Sequence, residues 1–255
     1  MLGIIGMPII AFCSWSSVHV QVQFPARAKL FQTNKTKSKG VPASPTVILQ
    51  RDLTGEDFAE HWSYRYIIGK LNFLEKSTRP DIAYAVHQCA RFSANPKASH
   101  ATAVRNIVRY LIGTPAQGIV LQPNEHSFVV WADADFCGNW NRDTSVSDMM
   151  TAKSRSGYAI TYASCPVLWA SKLQTEVALS TTEAECVCLS QSLWDTIPLM
   201  NLLTEVRDKL DKDVIAVPAI HCTLFKDNSG ALELACIPKM QPCTKNININ
   251  IKLIV

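Results

Sequence analysis

The chain has 255 residues, 47% of them hydrophobic, with 25 Lys and Arg against 21 Asp and Glu and a formal net charge of +4. That length and apolar content can fill a real core and exclude disorder throughout, while the charge is too mild to require a nucleic-acid partner. The nine cysteines are odd in number and contain no CxxC pair, which excludes a disulfide framework and an ordinary zinc site and fits a reducing compartment.

In chain order, residues 1–24 carry no Asp, Glu, Lys or Arg, and LGIIGMPIIAF resembles a short signal h-region. It lacks a basic n-region, and Pro8 and His19 spoil a membrane span, so the stretch reads as an atypical leader. From Gln32 to Pro45 the sequence QTNKTKSKGVPASP is polar, basic and rich in turn formers, the composition of a linker. No acid precedes Asp52, while Arg27, Lys29, Lys35, Lys37, Lys39 and Arg51 make the region purely basic, a solvated tail. Residues 1–45 are therefore expected to be leader and linker without stable packing. No later segment is apolar enough to cross a bilayer.

Three helices should follow. WSYRYIIGKLNFLEKS, Trp62 to Ser77, repeats Tyr66, Ile67, Leu71 and Leu74 at helical spacing. RPDIAYAVHQCARFS opens with Pro80 and Asp81, good first-turn residues, and places Ile82, Ala85, Val86 and Cys89 on one face. In SHATAVRNIVRYLIG, Ser99 is the expected cap, Val104, Ile107, Val108 and Leu111 form the stripe, and Gly113 marks the stop. Arg91, Lys97, Arg105 and Arg109 fall on the polar faces. His87, His100 and His221 lie inside helix or strand patterns and read as structural.

After Gly118 the pattern becomes strand-like: GIVLQP, SFVVWAD, SGYAITYA and PVLWASK are short β-rich runs in hairpin order. Trp131, Trp140 and Trp169 are expected in the core. STTEAECVCLSQSLWDTIPLMNLLTEV then reads as a long helix opened by a capping box, Ser180 with Glu183. Glu185 lies one turn before Leu189 and two before Leu193, on the stripe that should face the sheet. Cys186 and Cys188 read as small core residues. IHCTLFKD is a further strand, ended by Asp227, and NSGALELA a short helix.

Asp133 and Asp135, in WADADFCGNW, close a strand that could be buried. A metal ion, a basic partner or water at the strand mouth would each account for them. If the strands ending at Asp133 and Asp227 are neighbours, Glu185 meets both. A divalent cation is the usual reason for three acids to converge, and oxygen-only ligands point to Mg²⁺ or Mn²⁺.

YRYIIGKLNFLEKSTRPDIAYAVHQCARF, RSGYAITY, WASKLQTEVALSTTEAE and KDNSGALELA closely resemble the C-terminal part of copia-type retrotransposon Pol polyproteins, from about Val41 almost to the end. The resemblance implies a helical, reverse transcriptase-derived thumb or connection region over 46–116. Over 117–255 it implies a ribonuclease H-like α/β domain, a mixed five-stranded sheet with flanking helices, incomplete at its C-terminus. It gives Asp133, Glu185 and Asp227 the roles of catalytic and metal-binding carboxylates, with Asp133 bridging two divalent ions and Asp135 a neighbour. Cys186 stands where the family's TEAEY run has an aromatic residue. The family's closing run resembles RTKHIDIKYHF, whereas this chain reads TKNININIKLIV, with Asn246, Asn248 and Asn250 and no acid. The polymerase palm is also missing from the sequence, so no polymerase activity is expected.

Two functional classes follow. One is a Mg²⁺- or Mn²⁺-dependent nuclease cutting the RNA strand of RNA:DNA hybrids during reverse transcription, with Arg91, Arg105 and Arg109 on phosphates. The other is a degenerate remnant that at most binds nucleic acid. The resemblance implies other Pol-derived polypeptides as partners and a cytoplasmic place, with a virus-like particle or the nucleus as alternatives, and the lack of a long apolar run implies no membrane.

Overall fold

Hydrophobic periodicity passes from helical to alternating near residue 118 and back to helical after Ser180, and the elements follow it. The computed structural model describes residues 9–13, 18–22, 38–44, 48–124, 127–210 and 220–236. Two compact units divide at Leu121 and Gln122.

The first unit is built on three helices, α1 (Tyr64–Ser77), α2 (Ala83–Ala90) and α3 (Ala98–Gly113). Ser63 caps α1, its Oγ accepting from the Tyr66 amide at 3.4 Å. Ile67, Ile68, Leu71 and Leu74 are buried along one side. Tyr66, expected on that stripe, is exposed instead: it lies about 100° around the axis from Ile67. A 3₁₀ turn over Pro80–Ile82 leads into α2, and Ile82, Ala85, Val86 and Cys89 join Val104, Ile107 and Leu111 of α3 in one core.

Lys97, not Ser99, is the N-cap of α3. The Lys97 amide donates to His100 Nδ1 at 3.0 Å, and the His100 Nε2–H donates to the Gln50 carbonyl at 2.9 Å. Ser99 is drawn off by Asp52, to which its hydroxyl donates at 2.8 Å. His100 is thus a structural histidine, buried and stacked on Phe92 with ring centroids 4.0 Å apart.

Residues 9–22, expected to lack stable structure, contain β1 (Ile9–Cys13) and β2 (Val18–Val22). β2 also pairs antiparallel with β3 (Ile119–Leu121). The GIVL run therefore belongs to a three-stranded sheet of the first unit and is not in hairpin order with SFVVWAD. A three-residue strand this short takes whichever edge is offered, and its sequence does not specify the partner.

The second unit contains β4 (Ser127–Asp135), β5 (Arg155–Tyr162), β6 (Cys165–Leu173), α4 (Thr181–Leu210), β7 (His221–Phe225) and α5 (Ser229–Cys236). The sheet order is β6-β5-β4-β7. β4 and β5 are antiparallel, as are β5 and β6, and β7 is parallel to β4. The turn between β5 and β6 is Ala163-Ser164, with φ of 53° and 64°, the two left-handed residues of a tight hairpin. β6 runs the same way as β4, since each is antiparallel to β5, and α4 carries the chain from the end of β6 across the sheet to β7, which enters beside β4 in the same direction.

Alternation along β4 turns Phe128, Val130 and Ala132 inward, where they form a core with Tyr158, Ile160 and Cys188. This mixed α/β arrangement, an antiparallel meander extended by one parallel strand and flanked by helices, is the ribonuclease H-like class expected from the sequence. The described sheet has four strands rather than the expected five, and Asn246, Asn248 and Asn250 fall outside the described residues.

Candidate metal centre

Asp133 is the penultimate turn of the pleat in β4, and Asp227 lies two residues past the end of β7. The parallel register pairs Trp131 with Phe225. Continued by two residues, it sets Ala132 beside Lys226 and Asp133 beside Asp227. Glu185 arrives from the first turns of α4, which begins at Thr181. Carboxylate oxygens of Asp133, Glu185 and Asp227 all lie within 4.8 Å of one another.

The helix start is fixed independently of these acids. Ser180 Oγ accepts from the Glu183 amide at 3.1 Å, and the Glu183 carboxylate accepts from the Leu179 amide at 2.7 Å, one residue before the Ser180 amide that the expected capping box would use, so Glu183 is occupied locally at the helix start. Gln174, just past β6, adds a second anchor that sequence reading missed. Its Nε2 donates to the Ala184 carbonyl at 2.8 Å and to Ser156 Oγ at 3.1 Å, tying the residue before Glu185 to β5. Cys188, one turn further along α4, donates its thiol to the Asp133 carbonyl at 3.0 Å. Cys186 and Cys188 are buried, as expected, and burial pushes both thiols up to about 11. After β7, Asn228 Oδ1 accepts from the Ala231 amide at 2.9 Å and caps α5, which fixes the chain on the far side of Asp227.

Lys226 is the residue at the centre of this group. Alternation along HCTLFK places Lys226 on the same side as Cys222 and Leu224, so its stem runs inward and its side chain has 0% exposure. The ammonium forms an ion pair with Glu185, lies 3.2 Å from Asp227 Oδ1 and 3.6 Å from Asp133 Oδ1, and donates to the Ala132 carbonyl at 2.9 Å. Sequence reading missed it because a lysine at a strand end is ordinarily solvated; the strand's period of two was the available signal.

The group divides into a buried and an open side. Glu185 keeps 9% of its side-chain exposure, whereas Asp133 and Asp227 keep 76% and 81%. Burial pushes the Glu185 carboxyl up; the Lys226 ammonium pulls it back, and Asp133 and Asp227 push it up further. Burial works to lower the Lys226 pKa, but hydrogen bonds and charge from Glu185 and then Asp227 outweigh it and hold the ammonium above the ordinary lysine range. The same ammonium holds Asp227 below the usual carboxylate range.

Asp135 lies outside the trio. It sits at the end of β4 opposite Arg155, and its exposed carboxylate lies over Gly138, 2.0 Å from where a Cβ would stand. Trp131 and Trp140 are exposed, contrary to the core expectation. Trp131 shares the outward face of β4 with Asp133 and stacks on Phe225 at 6.1 Å.

The arginines offered for phosphate contact lie in the first unit. Arg105 is paired with Glu60. Arg91 donates to Gln88 Oε1 at 2.9 Å and lies over the Phe92 ring. Arg109 is partly buried on α3.

A ribonuclease H-like sheet carrying three convergent carboxylates and an embedded lysine thus defines an α/β protein with an acidic, cation-holding centre. No protein-family model matches the chain, and no solved structure does. Curated relatives do. The chain is 34% identical over 224 residues to the retrovirus-related Pol polyprotein from transposon RE1 of Arabidopsis thaliana, covering 87% of this chain and 14% of that protein. It is 31% identical over 226 residues to the Pol polyprotein from transposon RE2 of the same plant, with the same coverage of each. It is 32% identical over 186 residues to the Pol polyprotein from transposon TNT 1-94 of Nicotiana tabacum, covering 73% of this chain and 13% of that protein. The chain belongs to the retrovirus-related Pol polyproteins of copia-type transposons and spans about one seventh of the length of these relatives.

Proposed function

We propose that this Pol-derived chain is a ribonuclease H-like hydrolase directed at the RNA strand of RNA:DNA hybrids. The observation that carries the reading is the convergence of Asp133, Glu185 and Asp227 from β4, α4 and the end of β7. Their donor set fits Mg²⁺ or Mn²⁺: three carboxylates, hard oxygens only, two of them open to solvent.

When bound, such an ion lowers the pKa of water and stabilises charge on a departing oxygen. The chain's own residues supply the rest. Asp133 and Asp227 face the entering substrate from the solvent side, and Glu185 closes the floor of the site. Choice of RNA over DNA rests on contacts to the 2′-hydroxyl. Arg91, Arg105 and Arg109 are proposed phosphate contacts, sequence-independent and salt-sensitive. RNA:DNA hybrid and other Pol-derived polypeptides are the proposed partners, in the cytoplasm, a virus-like particle or the nucleus. No helix among the described residues is long and apolar enough to cross a membrane.

The second reading, a remnant that at most binds nucleic acid, is favoured by the Lys226 ammonium already lying among the carboxylates. Incubation of the purified chain with a labelled hybrid and Mg²⁺ or Mn²⁺ separates the two. Cleavage that disappears in Asp133→Asn supports the hydrolase. An intact hybrid, together with no divalent-ion binding at millimolar concentration, leaves the remnant.

A further inference from the structure

We propose that Lys226 is a tethered counter-ion of the acidic centre, which holds the three carboxylates together without metal and competes with divalent cations for them. The inference rests on the metal-centre reading and concerns what governs loading of that centre.

Four oxygen atoms surround one ammonium. Ala132 O lies at 2.9 Å, Asp227 Oδ1 at 3.2 Å and Asp133 Oδ1 at 3.6 Å, and Glu185 forms the fourth contact. An ammonium has three protons to donate, so this shell is the coordination of a cation by oxygen rather than a set of individual hydrogen bonds. Every carboxylate that would ligate a metal ion is already engaged.

Its approach makes the lysine a competitor. The stem enters from the core side, alongside Cys222 and Leu224, and is fully enclosed. A solvated ion enters from the opposite side, where Asp133 and Asp227 are mostly exposed. The two cations therefore reach the same oxygens from different directions without blocking each other's path. An arriving dication must either displace the ammonium or share the carboxylates with a positive charge a few Å away, and both weaken its binding. Without any cation, three acids this close repel one another, which the lysine prevents.

The test is Mn²⁺ binding by the full chain, read as free Mn²⁺ by electron paramagnetic resonance, for wild type, Lys226→Met, Lys226→Arg and the double variant Asp133→Asn with Lys226→Met. Lys226→Met should bind Mn²⁺ about tenfold or more tightly than wild type, Lys226→Arg should not gain, and the double variant should lose the gain. Equal binding by wild type and a folded Lys226→Met overturns the competition while leaving the metal centre standing. Weaker binding by Lys226→Met also overturns it, making the lysine an aid to the ion. Absence of binding in both folded proteins at millimolar Mn²⁺ removes the metal-centre reading and this inference together. If Lys226→Met does not fold, Lys226→Gln, which keeps a donor without the charge, takes its place in the same titration, and binding equal to wild type by that folded variant overturns the competition.

Discussion

Arg79 and Asp81 show how a few side chains hold the helical unit together. The Arg79 guanidinium donates to the Asp81 carboxylate at 2.9 and 2.7 Å and to the Thr114 carbonyl at 3.0 Å, while Tyr110 donates its hydroxyl to Asp81 at 2.7 Å. The turn before α2 is thereby fastened to the end of α3. Burial works to raise the Asp81 pKa, but the Arg79 and Tyr110 hydrogen bonds outweigh it and hold the carboxyl below its ordinary range. A carboxylate lowered by folding adds stability that is present above its unfolded value, about 3.9, and is lost as pH falls through the folded value. Replacing Arg79 by Met should therefore cost about 2 kcal/mol at pH 7 and flatten the acid limb below about pH 4. Urea titrations across that range measure both. The RPD run was read from sequence as a helix start, which it is; its bond to Thr114, 35 residues away, involves a separation no local pattern encodes.

At the scale of elements, the direction of α4 matters most, because Glu185 reaches the acidic centre only if the first turn starts where it does. The helix start at Ser180 was legible, since the spacing from the cap to Glu183 is local. The Gln174 bridge to Ala184 was not, because a glutamine after a strand carries no periodic signal. Gln174→Ala should leave the Ala184 carbonyl without this donor, costing about 1–2 kcal/mol. Cleavage, where present, should fall by about tenfold through displacement of Glu185. Hydrogen exchange at the first turn of α4 should quicken in the same variant; unchanged exchange would remove its positioning role. The opposite lesson comes from β3, whose β-rich sequence was legible but whose partner, Val18–Val22, was not.

At the scale of the molecule, each unit has its own buried cluster: Ile67, Leu71, Ile82, Val104 and Ile107 in the first, Phe128, Val130, Tyr158 and Ile160 in the second. Val130 is fully buried in the central strand. Val130→Asp places an unpaired charge in that core and should abolish amide protection over 127–210 and 220–236 while residues 64–113 stay protected. Loss of protection in both regions would show that the units unfold together. The sequence by itself determined the order of elements, the change from helical to alternating periodicity, and the identity of the acids that close two strands, because all of these are written in spacings of two to four residues. The parallel direction of β7 beside β4 was also legible, since two hairpins make β6 run the same way as β4 and the helix after β6 returns the chain to begin β7 at the same end. Tertiary structure alone decided which β-rich run joins which sheet, which way Trp131 faces, and that the carboxylates enclose an ammonium. Those outcomes depend on register between strands distant in sequence and on a lysine whose environment is made by β4, β7 and α4 together.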